Sequence, residues 1–168
     1  MKNKILFINP PLSQDIKVKF PNHQFPLGFL YMAGVLEKDN FKVKILDCPL
    51  DYKKKIKIDE NSVKFGLFQE DIEKEVREFN PDIVGVSCSF SMYESDSFWV
   101  IDVIKKINKN IKIVVGGAHA SSNPKFVLRN RNIDLVVIGE GELTILEIAQ
   151  RIRSGKRIDN ILGTSLFK

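Results

Sequence analysis

Three short segments concentrate the groups best suited to holding a ligand. Gly116-Gly117-Ala118-His119-Ala120-Ser121 sets a double glycine ahead of small residues, and glycine permits both positive φ and close approach of a bulky ligand to the backbone. A plain tight turn accounts for the same residues equally well. Ser87-Cys88-Ser89-Phe90-Ser91 gathers hydroxyls, which suit hydrogen bonding to a ligand or the capping of a helix. Gly139-Glu140-Gly141-Glu142-Leu143-Thr144 opens a helical stretch. A free helix N-terminus accepts anionic or hydrogen-bonding groups, but Glu140 and Glu142 repel a phosphate, so carbonyl, amide or hydroxyl partners are expected. The glycine spacing here is G-x-G-x-x-T near the end of the chain. A dinucleotide fingerprint reads G-x-G-x-x-G after the first strand, which makes NAD a poor candidate.

The remaining reactive residue types are sparse. Cys48 and Cys88 are too few for a disulfide framework and lack the spacing of a zinc or iron–sulfur site. Cys88 has no evident base or metal partner and reads as a small buried filler. The two histidines, His23 and His119, read as hydrogen-bonding loop residues, and neither is assigned as a metal ligand.

These segments need a frame, and the pattern supplies one. β-branched runs at 5–8, 43–46, 83–86, 111–115 and 135–138 alternate with apolar residues at helical spacing: Phe29, Met32, Ala33 and Leu36; Val100, Val103, Ile104 and Ile107; Ile145, Ile148, Ala149 and Ile152. A weaker helix spans 69–79, and a short one follows Pro124. Strands alternating with helices make a parallel sheet of βαβ units, and the unbroken apolar character of the later strands means helices on both faces. The expected fold is α/β, a three-layer, doubly wound, five-stranded parallel sheet of the flavodoxin-like type. Such sheets bind ligands outside the carboxyl ends of their strands, where all three glycine- or serine-rich segments fall. Two connections are long, 9–27 and 47–68. The first lies on the carboxyl side and is placed to fold over a ligand, while the Lys- and Asp-rich second reads as a surface excursion.

With 168 residues and 43% hydrophobic content, one domain over 1–168 with one substantial core is expected. The net charge of +5 comes from 26 Lys and Arg scattered among 21 Asp and Glu, so nucleic acid is not an expected partner. The apolar run 5–8 is stopped by Asn9-Pro10-Pro11, which leaves no signal peptide or membrane span. A cytoplasmic location fits two unpaired thiols.

Taken in order, several stretches resemble the cobalamin-binding domain that precedes the catalytic barrel in B12-dependent radical S-adenosylmethionine proteins. They are Asn9-Pro10-Pro11, Pro26-Leu27-Gly28, Gly34-Val35-Leu36-Glu37, Phe65-Gly66-Leu67, Pro81 to Ser87, Val114 to Ser121, and Gly139 to Thr144. Phe65-Gly66-Leu67 and the overall spacing are most similar to anaerobic magnesium-protoporphyrin IX monomethyl ester oxidative cyclases. The resemblance implies cobalamin as cofactor, with Asn9, Pro10, Ser87, Ser89, Gly116, Gly117, Ala118 and His119 near the corrin and its nucleotide tail, and Gly139, Glu140, Gly141 and Thr144 at the tail's far end. Related B12 domains carry Asp-x-His-x-x-Gly after the first strand, whereas Pro21-Asn22-His23-Gln24-Phe25-Pro26-Leu27-Gly28 lacks it. The expected mode is therefore base-off, without a protein histidine on cobalt. The family's barrel, with its 4Fe-4S cluster and S-adenosylmethionine, needs Cys-x-x-x-Cys-x-x-Cys, which this sequence does not contain. It is thus expected to be the N-terminal part of a longer enzyme, non-catalytic alone, with the C-terminal radical S-adenosylmethionine barrel as its partner. The alternatives are a receiver module, which fits poorly with Asn9 and Ser87 where acids are needed, a flavodoxin module, which needs a hydroxyl-rich phosphate loop where Asn9-Pro10-Pro11 stands, and an interaction domain without ligand.

Overall fold

The computed structural model describes residues 3–166. In chain order it contains β1 (Lys4–Asn9), β2 (Leu12–Asp15), α1 (Leu27–Lys38), β3 (Lys42–Asp47), β4 (Lys55–Lys57), β5 (Ser62–Phe65), α2 (Gln69–Phe79) and β6 (Ile83–Ser87). There follow α3 (Glu94–Ile107), β7 (Lys112–Gly116), α4 (Ala118–Ser122), α5 (Pro124–Val127), β8 (Leu135–Val137), α6 (Glu142–Arg153) and β9 (Thr164–Ser165).

The main sheet runs β3-β1-β6-β7-β8-β9. Its first five strands pair in parallel and β9 closes the edge antiparallel to β8. This is the flavodoxin-like order, with the reversal between β1 and β6. The fold is as expected, with one short antiparallel strand added. Alternation along β1 divides the core: Leu6 and Ile8 join Val84, Val86, Val100 and Ile104 under α2 and α3, while Ile5 and Phe7 join Leu36, Val114, Ile145 and Ile148 under α1 and α6. Covering both faces buries Ile5, Leu6, Phe7 and Ile8 to 1% exposure or less, which is why the run reads as continuously apolar.

The first long connection lies on the carboxyl side as expected, while the second is more than a surface excursion, because the two pair with each other. They form a second sheet, ordered β2-β5-β4, with antiparallel pairing. Val63 and Phe65 alternate inward along β5 and are buried, as is Leu12 on β2. Over four residues that alternation is too brief to stand out among lysines and aspartates. A buried carboxylate fastens this sheet to α3. Asp96, 1% exposed, accepts the Ser13 amide at 2.8 Å and the Ser13 hydroxyl at 2.7 Å. It also pairs with Lys64 at 2.9 Å, whose ammonium lies 4.4 Å from the centre of the Trp99 ring. Each charge is compensated, as burial requires. Among the described residues no helix is long and apolar enough to cross a membrane.

Candidate functional site

A cavity of about 390 Å³ opens at the carboxyl ends of β1, β6, β7 and β8, where the doubly wound topology places ligand sites. Nine of the twelve residues that the resemblance assigns to the cofactor line it: Asn9, Pro10, Ser87, Ser89, Gly116, Gly117, Gly139, Glu140 and Gly141. They come from the ends of four strands that the fold brings side by side. Ala118, His119 and Thr144 stand outside the lining. Ala118 is exposed at the start of α4. His119 turns toward α3, its Nε2 2.6 Å from Glu94 Oε2, and its amide donates to the Ser89 carbonyl at 3.2 Å. Thr144 sits on α6 beside Gly163, where an added Cβ would lie 3.1 Å from its hydroxyl.

The two adjacent glycines do different work. At Gly117, φ is +117°, and a Cβ would come within 2.7 Å of Ser89 Oγ and 2.8 Å of the Cys88 carbonyl. Its glycine is needed by the fold, which turns here from β7 into α4 against the loop after β6. At Gly116 a Cβ would meet only Val137, at 3.9 Å. Nothing in the fold demands glycine there, so the open space on that side of the strand belongs to the cavity. Ser87 and Ser89 face each other with hydroxyls 3.1 Å apart, and neither caps α3, whose N-terminus has no side-chain cap. Of the two readings of this serine cluster, capping is thereby excluded at α3.

Deeper in the cavity the wall is apolar: Val114 and Val137 on the sheet, Met32 on α1 and Ile145 on α6. These were missed as site residues because their periodicity marks them as core, and only the cavity shows that their contacts are incomplete. Asn22, Gln24 and Phe25 from the first long connection and Phe90 and Tyr93 after β6 complete the rim. Among the described residues the lining includes Glu140 and Glu142 but no lysine, arginine or histidine. A slot of this kind accepts a bulky ligand with flat apolar faces and neutral hydrogen-bonding groups, and disfavours an anion beside the two glutamates. Neither serine has a histidine or carboxylate partner, so an activated hydroxyl nucleophile is not assembled here. Among the described residues no cluster of His, Cys, Asp or Glu is arranged to hold a metal ion.

Both thiols are buried. Burial, with a further push from the Glu94 carboxylate and against a hydrogen bond from Ser97, raises Cys88 to about 11. Burial and then the neighbouring Asp47 raise Cys48 further. Both remain protonated at neutral pH and act as packing residues.

The family model described as the B12 binding domain matches residues 14–149. Cytidylyl-2-hydroxyethylphosphonate methyltransferase from Streptomyces wedmorensis is 32% identical over 95% of the chain, and the uncharacterized methyltransferase PH0819 from Pyrococcus horikoshii is 35% identical over 96% of it. The chain spans only 30% and 32% of the lengths of these two relatives. Among solved structures, the radical S-adenosylmethionine methyltransferase TsrM from Kitasatospora setae, with cobalamin and a 4Fe-4S cluster bound, superposes with a TM-score of 0.80 at 20% identity. That alignment covers 100% of this chain and 28% of TsrM. A ligand-sized slot at the switch point of a flavodoxin-like sheet, together with a family match over most of the sequence, places this chain in the B12-binding domain family.

Proposed function

We propose that the cavity holds cobalamin base-off, without a protein histidine on cobalt, in the service of methyl transfer by a radical S-adenosylmethionine barrel of the same parent chain. The observation that carries this reading is the open space at Gly116, for which the fold has no use of its own. The residues fit the cofactor. Val114, Val137, Met32 and Ile145 offer an apolar slot for the aromatic base that ends the nucleotide tail, and Ser87, Ser89 and Gly116 line its entrance, where hydroxyls rather than the glutamates face the tail's phosphodiester. Asn9, Asn22, Gln24, Glu140 and Glu142 at the rim present partners for the amide groups that fringe a corrin. Bound cobalamin supplies a cobalt centre able to accept and release a methyl group.

The histidines support the base-off mode. The Nε2 of His23 lies 2.8 Å from Asp47 Oδ2 and that of His119 2.6 Å from Glu94 Oε2, and neither residue lines the cavity. Methyl transfer is preferred over oxidative cyclisation because both curated relatives named above are methyltransferases. The 4Fe-4S cluster and S-adenosylmethionine then belong to the barrel. Two buried free thiols suit a reducing cytoplasm.

The test is absorbance titration of the purified chain with hydroxocobalamin. One equivalent binds, and the ligand-field bands of the complex are the same in wild type and His23→Ala. A band shift on that substitution overturns the base-off mode, and absence of saturation overturns cobalamin binding.

A further inference from the structure

The segment 16–26, between β2 and α1, forms neither helix nor strand, yet Asn22, Gln24, Phe25 and Pro26 belong to the cavity wall. Apolar burial does little to keep it there. Ile16, Phe20 and Phe25 are 40%, 70% and 55% exposed. Its first half leans on Phe20 against Tyr52, ring centres 6.0 Å apart, and on the Ile16 amide donating to the Asn61 carbonyl at 2.8 Å, while polar side-chain contacts hold the half that walls the cavity. His23 stands between Asn22 and Gln24 in sequence but, unlike them, lies outside the lining. Its Nε2 meets Asp47 Oδ2 at 2.8 Å. The other oxygen of Asp47 accepts Asn9 Nδ2, also at 2.8 Å. Asn9 and Asp47 are register partners at the carboxyl ends of β1 and the edge strand β3, so the anchor is fixed to the main sheet. The Asp47 side chain is 5% exposed, and a contact this dry is poorly screened by solvent. A second tether runs through Gln14, which accepts the Asn22 amide at 3.3 Å and donates to the Tyr93 hydroxyl at 2.7 Å.

We propose that Asp47 is a positioning residue which, through His23, holds the segment 16–26 as a releasable wall of the cofactor cavity and so sets how fast the cofactor leaves. Segments with few buried apolar contacts open locally far below the free energy of global unfolding. Here the tether decides how often that opening occurs. The inference rests on the cobalamin reading, but its first step does not depend on it.

That first step is read on the ligand-free chain by mass-resolved trypsin cleavage after Lys17 and Lys19, both exposed within the segment. The second is release of bound hydroxocobalamin into an excess of a high-affinity cobalamin scavenger protein. His23→Ala and Asp47→Asn are expected to raise both rates by about tenfold, the scale of one lost hydrogen bond to a charged group. His23→Gln retains a donor and restores most of the difference. A purely structural role would lower the melting temperature without selective cleavage at Lys17 and Lys19. Wild-type cleavage rates in both variants overturn the tether, and faster cleavage with unchanged cobalamin release overturns its control of the cofactor. If the wild-type chain takes up no hydroxocobalamin, the cobalamin reading falls, while cleavage still decides whether Asp47 holds the segment.

Discussion

Gly116 and Gly117 are neighbours of one type with opposite reasons for being glycine, and substitution separates them. Gly117→Ala forces a side chain into positive φ and against the Cys88 carbonyl at 2.8 Å. We expect it to cost about 1–3 kcal/mol, read as a lower midpoint in urea unfolding. Gly116→Ala puts a methyl 3.9 Å from Val137 and is expected to change the unfolding free energy by less than about 0.5 kcal/mol. Equal losses at both positions would contradict the distinction. The sequence shows the double glycine but carries no sign of which member serves the fold, because the difference lies in atoms of the loop after β6. His119 illustrates the same limit. It follows the glycines directly, yet the turn into α4 sends its ring to Glu94, and a partner 25 residues away leaves no local trace.

At the scale of elements, buried charges join pieces that apolar periodicity leaves unconnected. Asp96 falls within the first turn of α3, where acidic residues commonly serve the helix dipole, and its engagement of β2 and β5 appears only in three dimensions. Asp134, just before β8, ties together the lower ends of α3, β7 and β8. It accepts the Ile113 amide at 2.9 Å, Lys105 at 3.0 Å and Lys112 at 2.7 Å. Burial acts to raise this carboxyl, but the amide and the two lysines outweigh burial and hold it below the ordinary carboxylate range. A carboxyl depressed in the folded state contributes stability that is present above its unfolded value and is lost as pH falls through the folded one. Asp134→Asn should therefore destabilise the chain near neutral pH and reduce the part of its acid destabilisation that comes from this group, as measured by thermal unfolding between pH 7 and 3. An unchanged pH profile would show that the cluster is not coupled to folding. The main strands were legible because burial on both faces writes an unbroken apolar run. β2, β4 and β5 were not, since strands of three or four residues carry too little pattern, and β4 is exposed along its whole length.

For the whole molecule, topology does most of the functional work. The order β3-β1-β6-β7-β8 gathers four strand ends into one mouth, so residues from Asn9 to Glu142 share a cavity. That convergence was legible from the strand–helix alternation, together with the rule that ligands sit at the carboxyl ends. That the connection 9–27 folds over the site was legible from its length and its place after β1, whereas the depth of the slot and the tethers that hold the segment depend on packing between distant residues and were not legible. Whether the space at Gly116 holds cobalamin is decided by hydroxocobalamin titration of wild type beside Gly116→Leu, with urea unfolding of both. Wild type is expected to bind saturably and Gly116→Leu to lose binding, with matching unfolding transitions, because the leucine enters the cavity and not the core. Undiminished binding by a folded Gly116→Leu chain would contradict cobalamin binding at that space.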